Sequence, residues 1–236
     1  MKIQNKIPVV TIDGPSGSGT GTVAQILAGR LGWHYLDSGA LYRVLGLTAE
    51  RRRVGLDAEP ALCRLAETLQ IIFVPQADGS PARVSVDGVD VSTELRTETT
   101  GELASCVAAL PTVRRALLQK QHDFRQNPGL MTDGRDMGTT VFPDALLKVF
   151  LIAAPEVRAQ RRHKQLKGKG LDANLDVILG EIRHRDARDT DRSVSPLKPA
   201  DDAWILDSST LSTTEVVDAV SRRLQARLAE LETATR

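Results

Sequence analysis

A run of small residues near the amino terminus has the composition of a phosphate-binding loop. It follows the β-branched segment 7–13, which predicts a buried parallel strand, and it precedes segment 23–31, whose apolar period predicts a helix. Successive backbone N–H groups and a helix amino terminus can surround an anion at such a junction. The run consists of Gly14, Pro15, Ser16, Gly17, Ser18, Gly19, Thr20, Gly21 and Thr22.

The loop departs from the common nucleotide-binding motif at one charge. The pattern G-x-x-x-x-G-K-[ST] asks for lysine at position 20, where this chain has Thr20. Two other interpretations stay open on this motif alone. A dinucleotide site would use Asp37 for a ribose, although the glycines are not in the G-x-G-x-x-G register. A glycine-rich turn could also simply join a strand to a helix.

Two further clusters argue against a simple turn. Residues 37–43 open the second predicted helix with a hydroxyl and an arginine that are placed to meet another anion. Residues 133–138 end a predicted core strand with two carboxylates that flank Arg135. The sequence thus places anion-binding groups at a second position and a group of charged side chains at a third.

A basic segment lies later in the chain. Residues 156–192 carry ten Lys and Arg against seven Asp and Glu, with few large apolar side chains and a predicted loop at 167–170. Arg185, Arg188 and Arg192 are spaced i, i+3 and i+7, so one helical face can present several guanidinium groups to phosphates. We interpret the segment as an exposed, mobile cationic element. Taken alone, such a run is more typical of a solvated, salt-bridged surface.

Alternating strand and helix patterns predict an α/β core. Three short β-like runs interrupt this pattern and predict an antiparallel insertion: 70–75, 82–86 and 89–91, separated by the hairpin signals Asp78-Gly79 and Asp87-Gly88. A closing helix docked on the sheet is predicted by the apolar stripe Val217, Val220, Leu224, Leu228 and Leu231.

The composition excludes several classes of function. With 31 Lys and Arg against 30 Asp and Glu, the net charge of +1 disfavours bulk nucleic acid or an anionic membrane surface as the partner. Apolar runs fall far short of the ~20 residues of a membrane span. Two cysteines and the lack of a signal-peptide pattern predict a reducing cytoplasm. The four histidines show no metal-ligand spacing, so no structural metal is expected.

Together the motifs resemble those of the bacterial cytidylate kinases, in the nucleoside monophosphate kinase group, from Ile7 to about Leu224. The segments that carry the resemblance are TIDGPSGSG, LDSGALYR, the three-stranded insertion, the PTVR helix start, DGRDMGT, VFPDA and RHRDARDTDR. The resemblance implies a P-loop kinase fold. In that fold a five-stranded parallel core sheet is wrapped by helices and carries an antiparallel β insertion and a short helical lid.

The same resemblance implies a reaction and a division of the chain. The γ-phosphate of ATP, bound as MgATP, would pass to CMP or dCMP in pyrimidine nucleotide metabolism, and the enzyme would be a cytoplasmic monomer. The single kinase domain would comprise a core of residues 1–59, 103–158 and 193–236, an NMP-binding insertion at 60–102, and a lid at 159–192.

The site residues follow from the resemblance residue by residue. ATP would contact the loop from Gly14 to Thr22 and Arg161. CMP would contact Ser38, Arg43, Ser105, Arg114, Arg135, Asp136, Arg185 and Asp189. The catalytic set would be Arg185, Arg192, Asp189 and Thr20, with Asp133 as an outer-sphere ligand of Mg²⁺. Arg43 and Arg114 suit the α-phosphate as bidentate donors, although each alone could be a surface helix arginine. Asp136 can accept from the cytosine amino group, which uracil lacks.

Thr20 decides between two functional alternatives. It keeps its backbone N–H in the loop but supplies no cation, and loss of one preorganised donor commonly costs on the order of 10²–10³ in rate. We therefore expect a cytidylate kinase with depressed turnover. The alternative is a nucleotide-binding module of the same fold without useful turnover. An adenylate or uridylate kinase is disfavoured by the β insertion and by the DGRD segment.

Overall fold

The computed structural model describes residues 7–76, 80–168, 170–192 and 194–234. Within them the strands are β1 (Val9–Asp13), β2 (His34–Asp37), β3 (Ile71–Val74), β4 (Arg83–Val86), β5 (Val89–Asp90), β6 (Leu130–Gly134), β7 (Leu147–Ile152) and β8 (Trp204–Asp207). The α-helices are α1 (Thr20–Leu31), α2 (Ser38–Arg51), α3 (Glu59–Thr68), α4 (Glu98–Ala108), α5 (Pro111–Asp123), α6 (Pro155–Gly168), α7 (Leu175–Thr190) and α8 (Thr213–Ala234).

Five strands form a parallel sheet in the order β2-β6-β1-β7-β8. All five residues of β1 and all five of β6 are buried, which explains why both strands lack polar alternation in the sequence. In register, Asp37 lies opposite Asp133 and Asp13 lies opposite Phe150, so these aspartates stand at the carboxyl ends of their strands. Ligands of open α/β sheets bind at that edge. The expected fold class is confirmed.

The chain divides into two compact units. Unit 1 comprises Val10–Val23 and the chain from Gly134 onward, and it holds most of β1, the glycine-rich loop, β7, β8 and helices α6 to α8. Unit 2 comprises Ile7–Val9 and Ala24–Asp133, and it holds β2, most of β6, helices α2 to α5 and the small sheet.

The predicted insertion is a three-stranded antiparallel sheet in the order β3-β4-β5. Val86 pairs with Val89, and the two residues between them, Asp87 and Gly88, have φ of 50° and 83°. Two positive φ values in a two-residue loop define the turn type that matches strand twist, so this hairpin signal is confirmed. The second signal, at Asp78-Gly79, lies outside the described residues.

The basic segment 156–192 is less exposed than we expected. Helices α6 and α7 pack through Ala159, Ile178 and Ile182, which are all buried. Helix α6 also continues through Gly168, so the first half of the predicted loop at 167–170 is helical. The expectation of an exposed element is therefore wrong at these packed residues, because a few apolar residues, correctly spaced, are enough to dock two helices.

The closing helix is confirmed, with one correction. Val217, Val220 and Leu224 are buried, whereas Leu231 is 39% exposed near the end of α8. The apolar stripe is therefore longer than the surface that covers it. No helix in the described part of the chain is long and apolar enough to cross a bilayer.

Two glycines provide a matched test of helix packing in the fold. A Cβ on Gly46 in α2 would lie 2.8 Å from the Leu103 Cβ in α4, so Gly46→Ala should lower the free energy of unfolding by about 1–3 kcal/mol. Gly180 in α7 has open space around its Cβ position, so Gly180→Ala should raise stability by up to about 1 kcal/mol. Urea unfolding of both variants measures the difference, and equal effects would contradict close α2–α4 packing.

Candidate active site

The glycine-rich loop between β1 and α1 is closed by its own backbone. Gly17 and Gly19 have φ of 81° and 102°, a left-handed conformation that favours glycine. The Ser18 N–H and Oγ both donate to the Pro15 carbonyl, at 3.2 and 2.8 Å. A Cβ on Gly14 would lie 2.2 Å from the Leu151 carbonyl oxygen, so this position also requires glycine. Helix α1 begins at Thr20, immediately after the loop.

Arg161 and Ser208 hold the loop from one side. Arg161 donates from Nη1 to the Ser18 carbonyl at 3.3 Å and from Nη2 to the Ser208 carbonyl at 2.6 Å. The Ser208 hydroxyl donates to the Ser18 carbonyl at 3.2 Å. Arg161 was among the residues expected at ATP. Ser208 was not, because a serine after a strand carries no sequence signal of its own.

Arg158 is a second support of the loop that the sequence did not reveal. Its Nε donates to the Ala153 carbonyl at 2.9 Å, and its Nη1 donates to the Ser16 carbonyl at 3.0 Å. Both Nη atoms also pair with the Asp186 carboxylate, at 2.9 and 2.5 Å. Arg158 is 2% exposed and the Asp186 side chain is 25% exposed, so the two residues form a partly buried bidentate ion pair between α6 and α7. Arginine suits such a site because its fork matches a carboxylate.

Two of the expected site residues, Arg135 and Arg192, form ion pairs with a third, Asp189. Its carboxylate accepts from Arg135 Nε at 2.9 Å and from Arg192 Nη2 at 2.5 Å, and its side chain is 3% exposed. Arg185 lies one turn earlier on α7 and is half-buried. Arg192 lies beyond the end of α7 at Thr190, so the expected helical face of three arginines is wrong in its last member. Asp191 is the C-cap residue of α7, with φ of −84° and ψ of 2°.

The end of β1 carries a buried carboxylate. Asp13 accepts the backbone N–H of Met137 at 3.0 Å and that of Gly138 at 2.8 Å, at the start of a π-helical turn (Met137–Val141). Burial raises the pKa of Asp13 from 3.8 to about 6. The N–H groups of Gly138 and Met137 oppose this rise, the Asp136 carboxylate adds to it, and the Arg135 cation reduces it.

The raised pKa of Asp13 predicts a pH-dependent contribution to stability. The fold favours protonation of Asp13 more than the unfolded chain does, so the contribution of Asp13 to stability is fully present below pH 3.8 and is lost as the pH rises through about 6. A shift of this size corresponds to about 3 kcal/mol. The difference in free energy of unfolding between the unmodified chain and Asp13→Asn should therefore fall as the pH rises from about 4 to 6. Urea unfolding at several pH values measures it, and a difference that does not change with pH would refute the assignment.

In unit 2 the expected CMP residues are held by backbone carbonyls and one amide. Arg43 Nη1 donates to the Leu95 carbonyl at 2.8 Å, and Ser38 Oγ donates to Gln121 Oε1 at 3.1 Å. Gly101 makes room for Arg43, since a Cβ there would lie 3.2 Å from Nη2. Arg43 is therefore partly buried and is not the exposed surface arginine that its helix position alone allowed.

Arg114 and Ser105 complete the expected residues of unit 2. The Arg114 guanidinium lies 5.4 Å from the Tyr42 ring centroid and donates weakly to the Ala108 carbonyl at 3.4 Å. The Ser105 hydroxyl is exposed and donates to the Gly101 carbonyl at 3.1 Å. Gln121 and Tyr42 were not expected at the site. The expected CMP residues thus divide between units, with Arg135, Asp136, Arg185 and Asp189 in unit 1.

Asp37 and Asp133 have separate roles at the strand ends of unit 2. Asp37 caps α2 by accepting the Ala40 N–H at 2.8 Å, a structural role that replaces the ribose contact of the dinucleotide alternative. Asp133 accepts the Tyr35 hydroxyl at 2.7 Å. Burial, with the nearby carboxylates of Asp133 and Asp37, raises the pKa of Tyr35 well above its usual value, so the hydroxyl remains a donor.

The donor chemistry of Asp133 fits Mg²⁺. Mg²⁺ takes hard oxygen ligands and is commonly held by one or two carboxylates together with phosphate oxygens and water. Within the described residues, no group of three or more His, Cys, Asp or Glu side chains is placed to hold a metal ion. A magnesium ion carried on nucleotide phosphates keeps several waters and needs no such group.

A parallel sheet whose first strand runs into a closed glycine loop, with arginines that hold the loop carbonyls, defines the class of P-loop phosphotransferase folds. The family model for cytidylate kinase matches residues 10–226. The cytidylate kinase of Stutzerimonas stutzeri is 58% identical over 91% of this chain and 93% of its own length. That of Aeromonas hydrophila is 54% identical over 96% and 97%. The chain belongs to the cytidylate kinase family.

One solved structure matches almost the whole chain at low sequence identity. The crystal structure of a protein from Thermus thermophilus has a TM-score of 0.48 and 20% identity, and the match covers 96% of this chain and 99% of that one.

Proposed function

We propose that this chain transfers the γ-phosphoryl group of ATP to CMP or dCMP, as a cytoplasmic monomer. The observation that carries the proposal is the family match over residues 10–226, because it spans both the phosphate loop and every expected acceptor residue. Relatives at 51–58% identity that are named cytidylate kinase support the same activity.

The phosphate loop binds the triphosphate of ATP in this proposal. Its backbone N–H groups and the amino terminus of α1 contact the phosphates, while Arg158 and Arg161 hold the loop carbonyls in place. Asp133 would help to hold Mg²⁺ as an outer-sphere carboxylate, and the ion would supply positive charge against the phosphates. Such positioning, more than covalent chemistry, is what phosphoryl transfer requires.

The acceptor is recognised at its two ends. Arg43 and Arg114 bind the α-phosphate of CMP, and Ser38 with Ser105 adds polar contacts. Asp136 accepts from the exocyclic amino group of cytosine, and Arg135 adds a donor at the same edge of the base. Discrimination against UMP rests on a buried acceptor that uracil would leave unpaired.

The lid arginines act on the transferred group. Arg185 and Arg192 contact the phosphates, and Asp189 orients Arg135 and Arg192 by accepting from both. The proposed domain division keeps the insertion at 60–102 for the monophosphate and the segment 159–192 for the lid. Closure of the lid would expel water from the phosphates.

Thr20 favours a second candidate function, a nucleotide-binding module without useful turnover. Thr20 is 7% exposed at the start of α1 and provides a hydroxyl where the family pattern has a cation. Binding depends on the loop backbone and could persist. Transfer depends on charge that follows the migrating phosphoryl group, and a hydroxyl cannot supply that charge.

Thr20→Lys distinguishes the two candidates. We expect kcat to rise by about 100-fold or more, with little change in the KM for CMP, because the added ammonium stabilises charge that develops in the transition state. Steady-state transfer from MgATP to CMP, dCMP, UMP and AMP measures this. Thr20→Met is the matched control, since it adds a side chain of similar length without charge.

The outcomes separate cleanly. Turnover with CMP by the unmodified chain supports the kinase. Turnover only in Thr20→Lys supports a cytidylate kinase whose other site residues are intact and which lacks activity because one charge is absent. No turnover in either protein supports the binding module. An unchanged or lower kcat in an active Thr20→Lys variant would show that another residue already performs the lysine's role.

A further inference from the structure

The proposed mechanism gives no role to Asp13, a buried carboxylate of unit 1. Asp13 is the last residue of β1, directly before Gly14 of the phosphate loop, and it is 5% exposed. Its two carboxylate oxygens point at two consecutive amides, with Oδ1 accepting from Met137 and Oδ2 from Gly138. Burying a carboxylate is costly, so its retention here calls for a specific contact.

These two amides follow directly after the residues proposed to recognise the base. Asp136 is 4% exposed, and its φ of −139° and ψ of 22° belong to neither a strand nor a helix. On its amino-terminal side, the Gly134 carbonyl accepts from the Gly14 N–H at 3.4 Å. On its carboxyl-terminal side, Met137 and Gly138 are held by Asp13. The backbone on both sides of Arg135 and Asp136 is thus fixed to the end of β1.

The close packing around Gly138 leaves the backbone of the turn little room to shift. A Cβ on Gly138 would lie 2.8 Å from Thr11 Oγ1 and 3.2 Å from Lys148 Cδ, so the turn is pressed against β1 and β7. Two adjacent N–H donors in that position need two acceptors. A carboxylate supplies both, whereas an amide side chain supplies one acceptor and turns a donor toward the other N–H.

We propose that Asp13 is a positioning residue for base recognition: it fixes the Met137 and Gly138 amides and thereby holds Arg135 and Asp136 against a pyrimidine that carries an exocyclic amino group. The inference rests on the proposed function. It attributes part of the selectivity for cytosine over uracil to β1, the strand that leads into the phosphate loop. The contact touches neither substrate, so Asp13 acts through Asp136 and Arg135.

Asp13→Asn tests this proposal through the selectivity for CMP over UMP, a ratio that general destabilisation of the protein does not change. We expect the KM for CMP to rise about tenfold and the ratio of kcat/KM for CMP to that for UMP to fall about tenfold. The KM for ATP should stay within about twofold, because the loop carbonyls are held by Arg158, Arg161 and Ser208. Loss of folded protein would lower all activities together and leave both ratios unchanged.

Thr11→Val is the matched control. Thr11 lies two residues earlier on β1 and faces the same Gly138, but within the described residues its hydroxyl has no hydrogen-bond partner. This variant should keep both the KM for CMP and the selectivity of the unmodified chain. An Asp13→Asn variant with unchanged selectivity, or with equal losses for CMP and ATP, overturns the proposal.

Two measurements keep the inference testable where catalysis or folding fails. If the unmodified chain shows no turnover, the proposed activity fails, and calorimetric binding of CMP and UMP to the unmodified chain and to Asp13→Asn gives the same selectivity comparison. If Asp13→Asn does not fold, amide hydrogen exchange on the unmodified chain decides. CMP should slow exchange at Met137 and Gly138 more than ATP does, and no slowing by CMP would overturn the proposal.

Discussion

The phosphate loop depends on donors for its own carbonyl oxygens. A backbone that presents its N–H groups to an anion turns carbonyls the other way, and a buried carbonyl without a donor is costly. Here the carbonyls of Pro15, Ser16 and Ser18 accept from within the loop, from Arg158, and from Arg161 with Ser208. Much of unit 1 positions those donors. Strand β7 leads into α6, which carries Arg158 and Arg161, and β8 ends directly before Ser208.

One partly buried and one buried carboxylate, Asp186 and Asp189, orient arginines of this unit. Asp186 orients Arg158 and Asp189 orients Arg135 and Arg192, so the arginines near the site are fixed before any anion arrives. Removing one member of such a pair leaves an uncompensated buried charge, which commonly costs about 3–5 kcal/mol. The balanced net charge of +1 reflects this pairing and does not indicate a lack of local positive potential.

The sequence predicted the elements and the loop because their signals are local. Buried parallel strands produce continuous apolar runs, and glycine spacing marks positions with positive φ, as at Gly17 and Gly19. It did not predict the burial of Arg158, because an arginine in a basic run looks solvated until its distant partner is known. Asp13 was missed for the same reason, since its partners lie more than a hundred residues later in the chain. The roles of the expected site residues remain predictions.

A lysine at position 20 would serve both phosphate binding and stabilisation of the transition state. With Thr20 in its place, these two tasks can be considered separately. Arg161 is anchored to the carbonyls of Ser18 and Ser208, so its charge acts on the loop from a fixed position, whereas the charge of Arg158 is paired with Asp186. Fixed charges in a partly dry site stabilise bound phosphate well, because little reorganisation is needed. They cannot move with a phosphoryl group that leaves one oxygen for another. A loop built this way with Thr20 retains the electrostatics of the ground state and loses charge where the transition state develops it, so its deficit should fall on kcat more than on nucleotide binding.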